Sequence, residues 1–562
     1  MISLRQLLVS AMAASIALAP ASFAQLEKAG TPPAASNHGP IVDAPAGKIE
    51  GKLDGTLRVF KGIPYTLPPT GSLRWKPPSP MPRWADVRNA TAFGPICYQL
   101  ASVYSLVAAP MSDDCLTLNI WAPADARNAP IFFWIHGGAL TTGSSQYDGK
   151  RLAEQGVIVV SINYRLGVFG WLAHPELSKE SPLGVSGNYG LMDQIEALKW
   201  VRQNISAFGG DPSNVTIAGE SAGALSVMYL MTSPPARGLF AKAILESAYM
   251  ISTPELTKRG FGAFSAQEAG TQFAASTHAS NIAALRAMDA SVLNNAAAVA
   301  GFEPYGAIDG HFLPRQIVDV FDRGEQAPVP LLAGFNSGEI RSQRFLTPRP
   351  PATPTEYEST IRERYLDLAD EFLRLYPSAQ MQESILATTR DALYGWTSER
   401  LVRKQAKLGL PSFLYYFDHG YPAADDAGLH AFHAKELPYV FGTIDRTMPL
   451  WPKIPATAQE RTLSDAMIGY WTAFARTGRP QAAHEPDWPT FEPAGSYMAF
   501  EQNPRPSSRL LPGMYEFNEE VVCRRRASGN ISWNWNVGLA SPKLPPQKAQ
   551  CKSVKSDPAE RQ

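Results

Sequence analysis

Residues 208–223 constrain this chain most: Phe208-Gly209-Gly210-Asp211-Pro212-Ser213-Asn214-Val215-Thr216-Ile217-Ala218-Gly219-Glu220-Ser221-Ala222-Gly223. Residues 215–218 have strand character, and residues 222–231 suit a helix, with no proline until Pro234. Between them stands Gly219-Glu220-Ser221-Ala222-Gly223, a G-x-S-x-G pattern. A strand that turns sharply into a helix at such a pattern holds its serine strained and exposed. Small flanking residues let the chain pack tightly there. A hydroxyl so held attacks a carbonyl once a base removes its proton. The five residues alone are a weak signal in 562 residues with 43 glycines, where an ordinary Gly-Ser turn competes. The strand before and the helix-compatible stretch after favour the sharper reading.

A tetrahedral intermediate carries an oxyanion that needs fixed donors. At strand–turn–helix serines one donor is the N–H after the nucleophile, here Ala222, and others come from a glycine-rich loop after an earlier strand. Residues 131–135, Ile-Phe-Phe-Trp-Ile, read as a buried strand and lead into His136-Gly137-Gly138-Ala139-Leu140. Glycines there let the backbone approach a substrate, and one such donor is worth about 3–4 kcal/mol of barrier. A plain strand-end turn is the alternative. The base must be a histidine backed by a carboxylate, in the chain order serine, acid, histidine. After Ser221 come His278, in an alanine-rich stretch, then His311, His419, His430, His433 and His484. His430 and His433 share residues 429–442. Residue type alone does not choose between them, because an isolated histidine is more often structural than catalytic.

Longer motifs make the choice. The run 208–223 resembles throughout the serine signature of the type-B carboxylesterase family, which includes cholinesterases and bile-salt-activated lipases. Asp113-Asp114-Cys115-Leu116-Thr117-Leu118-Asn119-Ile120-Trp121-Ala122-Pro123 resembles its second signature. Phe60-Lys61-Gly62-Ile63-Pro64-Tyr65, Ser161-Ile162-Asn163-Tyr164-Arg165-Leu166-Gly167 and Phe474-Ala475-Arg476-Thr477-Gly478 extend the similarity from about residue 40 to about residue 520. The resemblance implies an α/β-hydrolase fold: a central, mostly parallel sheet flanked by helices, with long insertions over the active site. The family's histidine stands in His-x-x-Glu-Leu-Pro-Tyr-Val-Phe-Gly, which selects His433. Its acid stands in Gly-x-Asn-x-x-Glu after a short strand, which selects Glu339 in Gly334-Phe335-Asn336-Ser337-Gly338-Glu339. The implied triad is Ser221, Glu339 and His433, with oxyanion donors at Gly138, Ala139 and Ala222. Ala139 stands where many relatives have a third glycine, and its methyl is expected to narrow the acyl side. Glu220 is implied to be a buried, hydrogen-bonded carboxylate and not a second base.

The family bridges cysteines at positions matching Cys97 and Cys115. Cys523 and Cys551 then remain, and a second bridge between them follows by elimination, two free thiols being the alternative. Four cysteines suit an oxidising compartment. Residues 1–24 fit a cleaved secretory signal: a weakly basic start, an apolar run at 7–18, and small residues at Ser22 and Ala24. That run is too short to cross a bilayer. A soluble mature protein, secreted or periplasmic, is expected after cleavage following Ala24. Residues 25–45 read as a flexible leader, 46–526 as a single catalytic domain, and 527–562 as an irregular tail.

Lysine plus arginine equals aspartate plus glutamate, 51 each, so charge calls for neither nucleic acid nor an acidic membrane surface. Arg524-Arg525-Arg526 reads as a solvated patch. No metal site, dinucleotide fingerprint or phosphate loop is visible, and no cofactor is implied. Stretches 250–305 and 340–400 lack family-diagnostic residues and are expected to cover the site, with residues 281–290 helical and Tyr394 and Trp396 as candidate pocket aromatics. Arg341 and Arg344 are candidates for attracting an anionic ester, or ordinary surface arginines. Hydrolysis of a small-molecule carboxylic ester is the leading expectation. A non-catalytic adhesion protein of the same fold, or amide or lipid hydrolysis on the same residues, are the alternatives.

Overall fold

The computed structural model describes residues 39–100, 109–533 and 535–554. The expected signal at 1–24, its cleavage after Ala24, most of the leader and the last residues of the tail lie outside the described residues.

The apolar run at 131–135 forms the strand Ala129–Ile135, and alternation along it divides two cores. Ile131, Phe133 and Ile135 pack on one side with Ile217, Leu245 and Ala333. Phe132 and Trp134 pack on the other with Ala218, Ile244 and Leu332. Strands buried on both faces need helices on both, and helical crossovers make such strands parallel. The centre of an eleven-stranded sheet is built this way. Its parallel strands lie in the order Ser496–Phe500, Ser412–Phe417, Leu331–Asn336, Lys242–Glu246, Gly210–Glu220, Ala129–Ile135, Ile158–Ile162. Antiparallel strands continue it at both edges. Helices Tyr189–Asn204 and Ala222–Thr232 cover the first face and Ala458–Thr477 the second.

Register then decides where chemistry can gather. Ile135 lies opposite Gly219, Glu220 opposite Glu246, and Glu246 opposite Gly334. The carboxyl ends of neighbouring strands therefore stop at one edge, where their loops meet.

Several expectations are corrected. Ile41–Ala44 is a strand paired with Gly47–Glu50, so residues 41–44 belong to the sheeted structure and not to a flexible leader. The alternation of exposed Ile41 and Asp43 with buried Val42 and Ala44 was masked by the Pro/Ala/Gly composition around it. Residues 281–290 are not one helix: Ile282–Ala287 ends, and Ala290–Val299 begins anew. Asp289 causes the break, because its carboxylate accepts the N–H groups of Ser291 and Val292 as a helix cap. Arg524-Arg525-Arg526 is not a solvated patch. Arg524 and Arg525 are fully buried in helix Met514–Ser528. Arg524 pairs with Asp367 and Glu520, Arg525 donates to Trp535 O, Asn536 O and Ser541 Oγ, and Arg526 pairs with Asp319 and Asp322.

The described tail residues, 527–533 and 535–554, thus pack against the rest of the fold. Trp533 is fully buried, its ring 6.0 Å from that of Trp396. Disulfides join Cys97 to Cys115 and Cys523 to Cys551. Cys551→Ser should cost about 3.6 kcal/mol by the chain-entropy account. The expected readings are a lower melting temperature and faster proteolysis beyond residue 529, and an unchanged tail on both would disprove the bridge's role.

Candidate active site

Glu220 ends its strand and Ala222 begins its helix, so Ser221 makes the turn alone. Its φ of 56° and ψ of −120° are strained for a residue with a Cβ. Close packing enforces the turn: a Cβ on Gly223 would come within 2.1 Å of Ile135 O. The loop after Ile135 folds onto the serine. Gly138 has φ 98°, and a Cβ there would meet Thr142 O at 2.3 Å. Ala139 and Leu140 continue at φ 53° and 59°. A Cβ on Gly137 would lie 3.2 Å from the Ser221 Cβ, which measures how closely the loop approaches the serine. The Ala222 N–H belongs to the first helical turn and has no intrahelical acceptor. His136 lies outside this chemistry. It stacks on Tyr164, its Nδ1 contacts Gly137 O at 2.8 Å, and burial pulls it down to about 4, so it is neutral packing.

His433 reaches Ser221 from another part of the chain. Its Nε2 is 2.9 Å from Ser221 Oγ and its Nδ1 is 2.5 Å from Glu339 Oε2. The other oxygen, Glu339 Oε1, accepts from Ser247 Oγ at 2.5 Å and from the Asn336 N–H at 2.9 Å. The acid and histidine loops are tied together: Gly338 N donates to Ala431 O, and Asn336 Nδ2 donates to Phe432 O. His430, the alternative histidine, faces Asp418 and Asp425 instead. Of the expected residues, Ser221, His433 and Glu339 are brought into one hydrogen-bonded line, with Ala222 adjacent and the Gly138–Ala139 turn beside it.

A profile described as the carboxylesterase family matches residues 38–517. The chain belongs to the carboxylesterase family. Its sequence is 38% identical over 477 residues to a fumonisin B1 esterase of Sphingopyxis macrogoltabida, covering 81% of this chain and 85% of that one. It is 37% identical over 467 residues to a para-nitrobenzyl esterase of Bacillus subtilis, covering 80% and 92%. A solved PNB esterase superposes with a TM-score of 0.74 at 33% identity, over 86% of this chain and 99% of that one. A carboxylesterase of Geobacillus stearothermophilus does so with 0.68 at 30% identity, over 85% and 99%. The protein is a carboxylic-ester hydrolase with the α/β-hydrolase fold, as the motifs implied.

Around the line of hydrogen bonds, this carboxylesterase buries further carboxylates. Glu220 Oε1 lies 3.2 Å from His433 Nε2. Glu246, opposite Glu220 in the sheet, accepts from Trp471 Nε1 at 2.8 Å, and Glu436 accepts from Asn336 Nδ2. Burial pushes all three carboxyls up; at Glu220 the His433 charge opposes this and that of Glu339 adds to it, while repulsion from Glu220 adds to it at Glu246 and Glu436. Burial alone would pull the His433 imidazole down, but the charges of Glu220 and Glu339 and the bond to Glu339 outweigh it and hold the ring above its usual value. Removing the Glu220 charge therefore makes His433 easier to deprotonate. In Glu220→Gln the acidic limb of the kcat/KM profile on an aryl ester should move to lower pH; a limb that stays or moves up would refute the electrostatic account.

Ser247 was not found from the sequence, and nothing around it there signals a role: it simply follows strand Lys242–Glu246. In the sequence Asn336 stands out only as part of the acid's motif. Tyr394 lies beside the site, its ring 5.4 Å from that of His433 and its hydroxyl donating to Gln343 Oε1. Trp396 does not; it is fully buried against Trp533. Arg341 pairs with Glu383 at 2.6 Å and lines a separate cavity of about 280 Å³ with Arg390, Asp418 and His430, while Arg344 is exposed. Neither arginine is assembled with Ser221. Among the described residues no cluster of His, Cys, Asp or Glu could hold a metal ion, and no helix is long and apolar enough to cross a membrane.

Proposed function

We propose that Ser221, His433 and Glu339 are the catalytic triad of a secreted or periplasmic hydrolase of small-molecule carboxylic esters. The observation that carries this reading is the imidazole of His433 shared between Ser221 Oγ and Glu339. His433 Nε2 takes the Ser221 proton as Oγ bonds to the ester carbonyl carbon. The same proton passes to the leaving alcohol as the ester C–O bond breaks, and an acyl-enzyme remains. Water then attacks by the same relay and frees the acid and the serine. Glu339 keeps the Nδ1 proton in place and stabilises the imidazolium; Ser247 and Asn336 hold that carboxylate still. The N–H groups of Gly138, Ala139 and Ala222 receive the oxyanion, and the Ala139 methyl narrows the acyl side. Placement outside the cytoplasm is supported by the two disulfides and by the character of residues 1–24.

A fluorophosphonate tests the triad directly, because only an activated serine is phosphonylated. One adduct per chain on the peptide carrying Ser221, with parallel loss of aryl-ester turnover, is the expected result. An unlabelled Ser221 in a folded protein overturns the reading. The relatives' names set the first substrate panel, para-nitrobenzyl esters and fumonisin B1 beside short aryl esters.

A further inference from the structure

Two residues after His433, a lysine is buried where no charge is needed for the hydrolytic steps. Lys435 is 1% exposed. Its Nζ donates to His419 O at 2.6 Å and lies 3.9 Å from the centre of the Tyr421 ring, with the rings of Phe417 and Tyr439 at 5.8 and 5.9 Å. An ammonium over aromatic faces is held electrostatically, more strongly when water is excluded. The cage is itself braced. Glu460, in the first turn of helix Ala458–Thr477, accepts from Tyr439 Oη at 2.6 Å and contacts His419 Nε2 at 2.9 Å.

The backbone between cage and imidazole is short. Lys435 N donates to Phe432 O at 3.1 Å, closing a tight turn in which Ala434 takes φ 64°. Asn336 Nδ2 pins the same Phe432 carbonyl from upstream. His433 therefore sits between two tethers, Asn336 before it and the Lys435 ammonium after it. The partners of its ring, Ser221 and Glu339, follow other strands, so the ring's aim depends on this turn.

We propose that Lys435, gripped by its ammonium in the Phe417–Tyr421–Tyr439 cage, is a positioning residue that aims His433 at Ser221. This rests on His433 being the catalytic base. The groups facing the ammonium are His419, Tyr421, Asp425, Glu436, Tyr439 and Glu460. Burial pulls it down to about 7 against the charges of Glu460, Asp425 and Glu436, so it is charged in mildly acidic solution.

Lys435→Met keeps the stem and removes the charge. In the full chain, its plateau kcat on a short aryl ester, read from a full pH profile so that a shifted acidic limb is told apart from lost alignment, should fall by about tenfold to a hundredfold, the scale of a small misplacement. KM should stay within about twofold. The low-field proton signal of the His433 Nδ1–H bonded to Glu339 should broaden or disappear, while circular dichroism stays that of the parent. An unchanged kcat or an unchanged low-field signal overturns the proposal. If Lys435→Met does not fold, Tyr421→Leu, which removes the nearest ring and keeps the lysine, is judged on the same two readings. Failure of the triad reading looks different: parent and Ser221→Ala then turn over the ester equally, while the low-field signal still reports on the lysine.

Discussion

Ser221→Ala should lower kcat/KM on a short-chain aryl ester by on the order of 10⁵- to 10⁶-fold, the scale on which a serine and its base fail as a unit. The fold should survive, because alanine keeps the Cβ and the strained turn while losing only Oγ. His433→Ala should cost nearly as much, and the double variant no more than either alone. That non-additivity is the sharper part of the test. Two residues contributing independently would multiply their losses; a nucleophile and the base that deprotonates it lose the same step. Residual turnover above the uncatalysed rate in each variant would measure what the oxyanion donors contribute by themselves. Near-parental rates in Ser221→Ala would move the chemistry to another residue altogether.

Glu339→Gln should lower kcat by about 10⁴-fold. Glu339 is completely buried and accepts from Ser247 Oγ, Asn336 N and His433 Nδ1. A glutamine carries no charge to stabilise the imidazolium, and its amide NH₂ facing Nδ1 would favour the tautomer with the proton on Nε2, the wrong nitrogen for a base. The sign of the pH effect follows from the same charge. Glu339 helps to hold His433 above its usual value, so its loss lets His433 give up a proton more readily. The acidic limb of the remaining activity should therefore shift to lower pH, in the same direction as in Glu220→Gln. The two variants separate in size: Glu220→Gln keeps most of its kcat because Glu220 does not orient Nδ1. Equal losses in both would mean that Glu220 shares the orienting role.

Much of this site was legible before any coordinates because its parts are local. The Ser221 turn needs a strand, a helix and glycines within a few residues, and the Gly137–Gly138 loop needs the same after residue 135. His433 and Glu339 were legible only through long motifs. Nothing in an isolated histidine distinguishes His433 from His430, and the structure separates them by what faces them: Ser221 and Glu339 for one, Asp418 and Asp425 for the other. The misread segments were those where composition and packing disagree. The arginines at 524–526 look solvated, yet Asp367, Asp319 and Asp322 arrive from distant positions to pair Arg524 and Arg526, beside Glu520 one helical turn before Arg524. Trp396 looked like a pocket aromatic and is core, because its partner Trp533 lies in the tail.

The amino-acid sequence by itself determined which backbone turns are possible and which chemistry they can present. Alternation through residues 131–135 dictates a strand buried on both faces, and glycines at 138 and 223 permit close approaches that no larger residue would fit. Those are short-range requirements of sterics and hydrophobic burial, so they can be read off neighbouring residues. Tertiary structure alone decided the rest. Sheet register stops Glu220, Glu246 and Asn336 at one edge, Ser247 reaches Glu339, Glu220 comes within 3.2 Å of His433, and Lys435 enters its aromatic cage. Each of these depends on groups far apart in the chain whose interaction strength is set by exclusion of water, and only the folded packing of both sheet faces creates that exclusion.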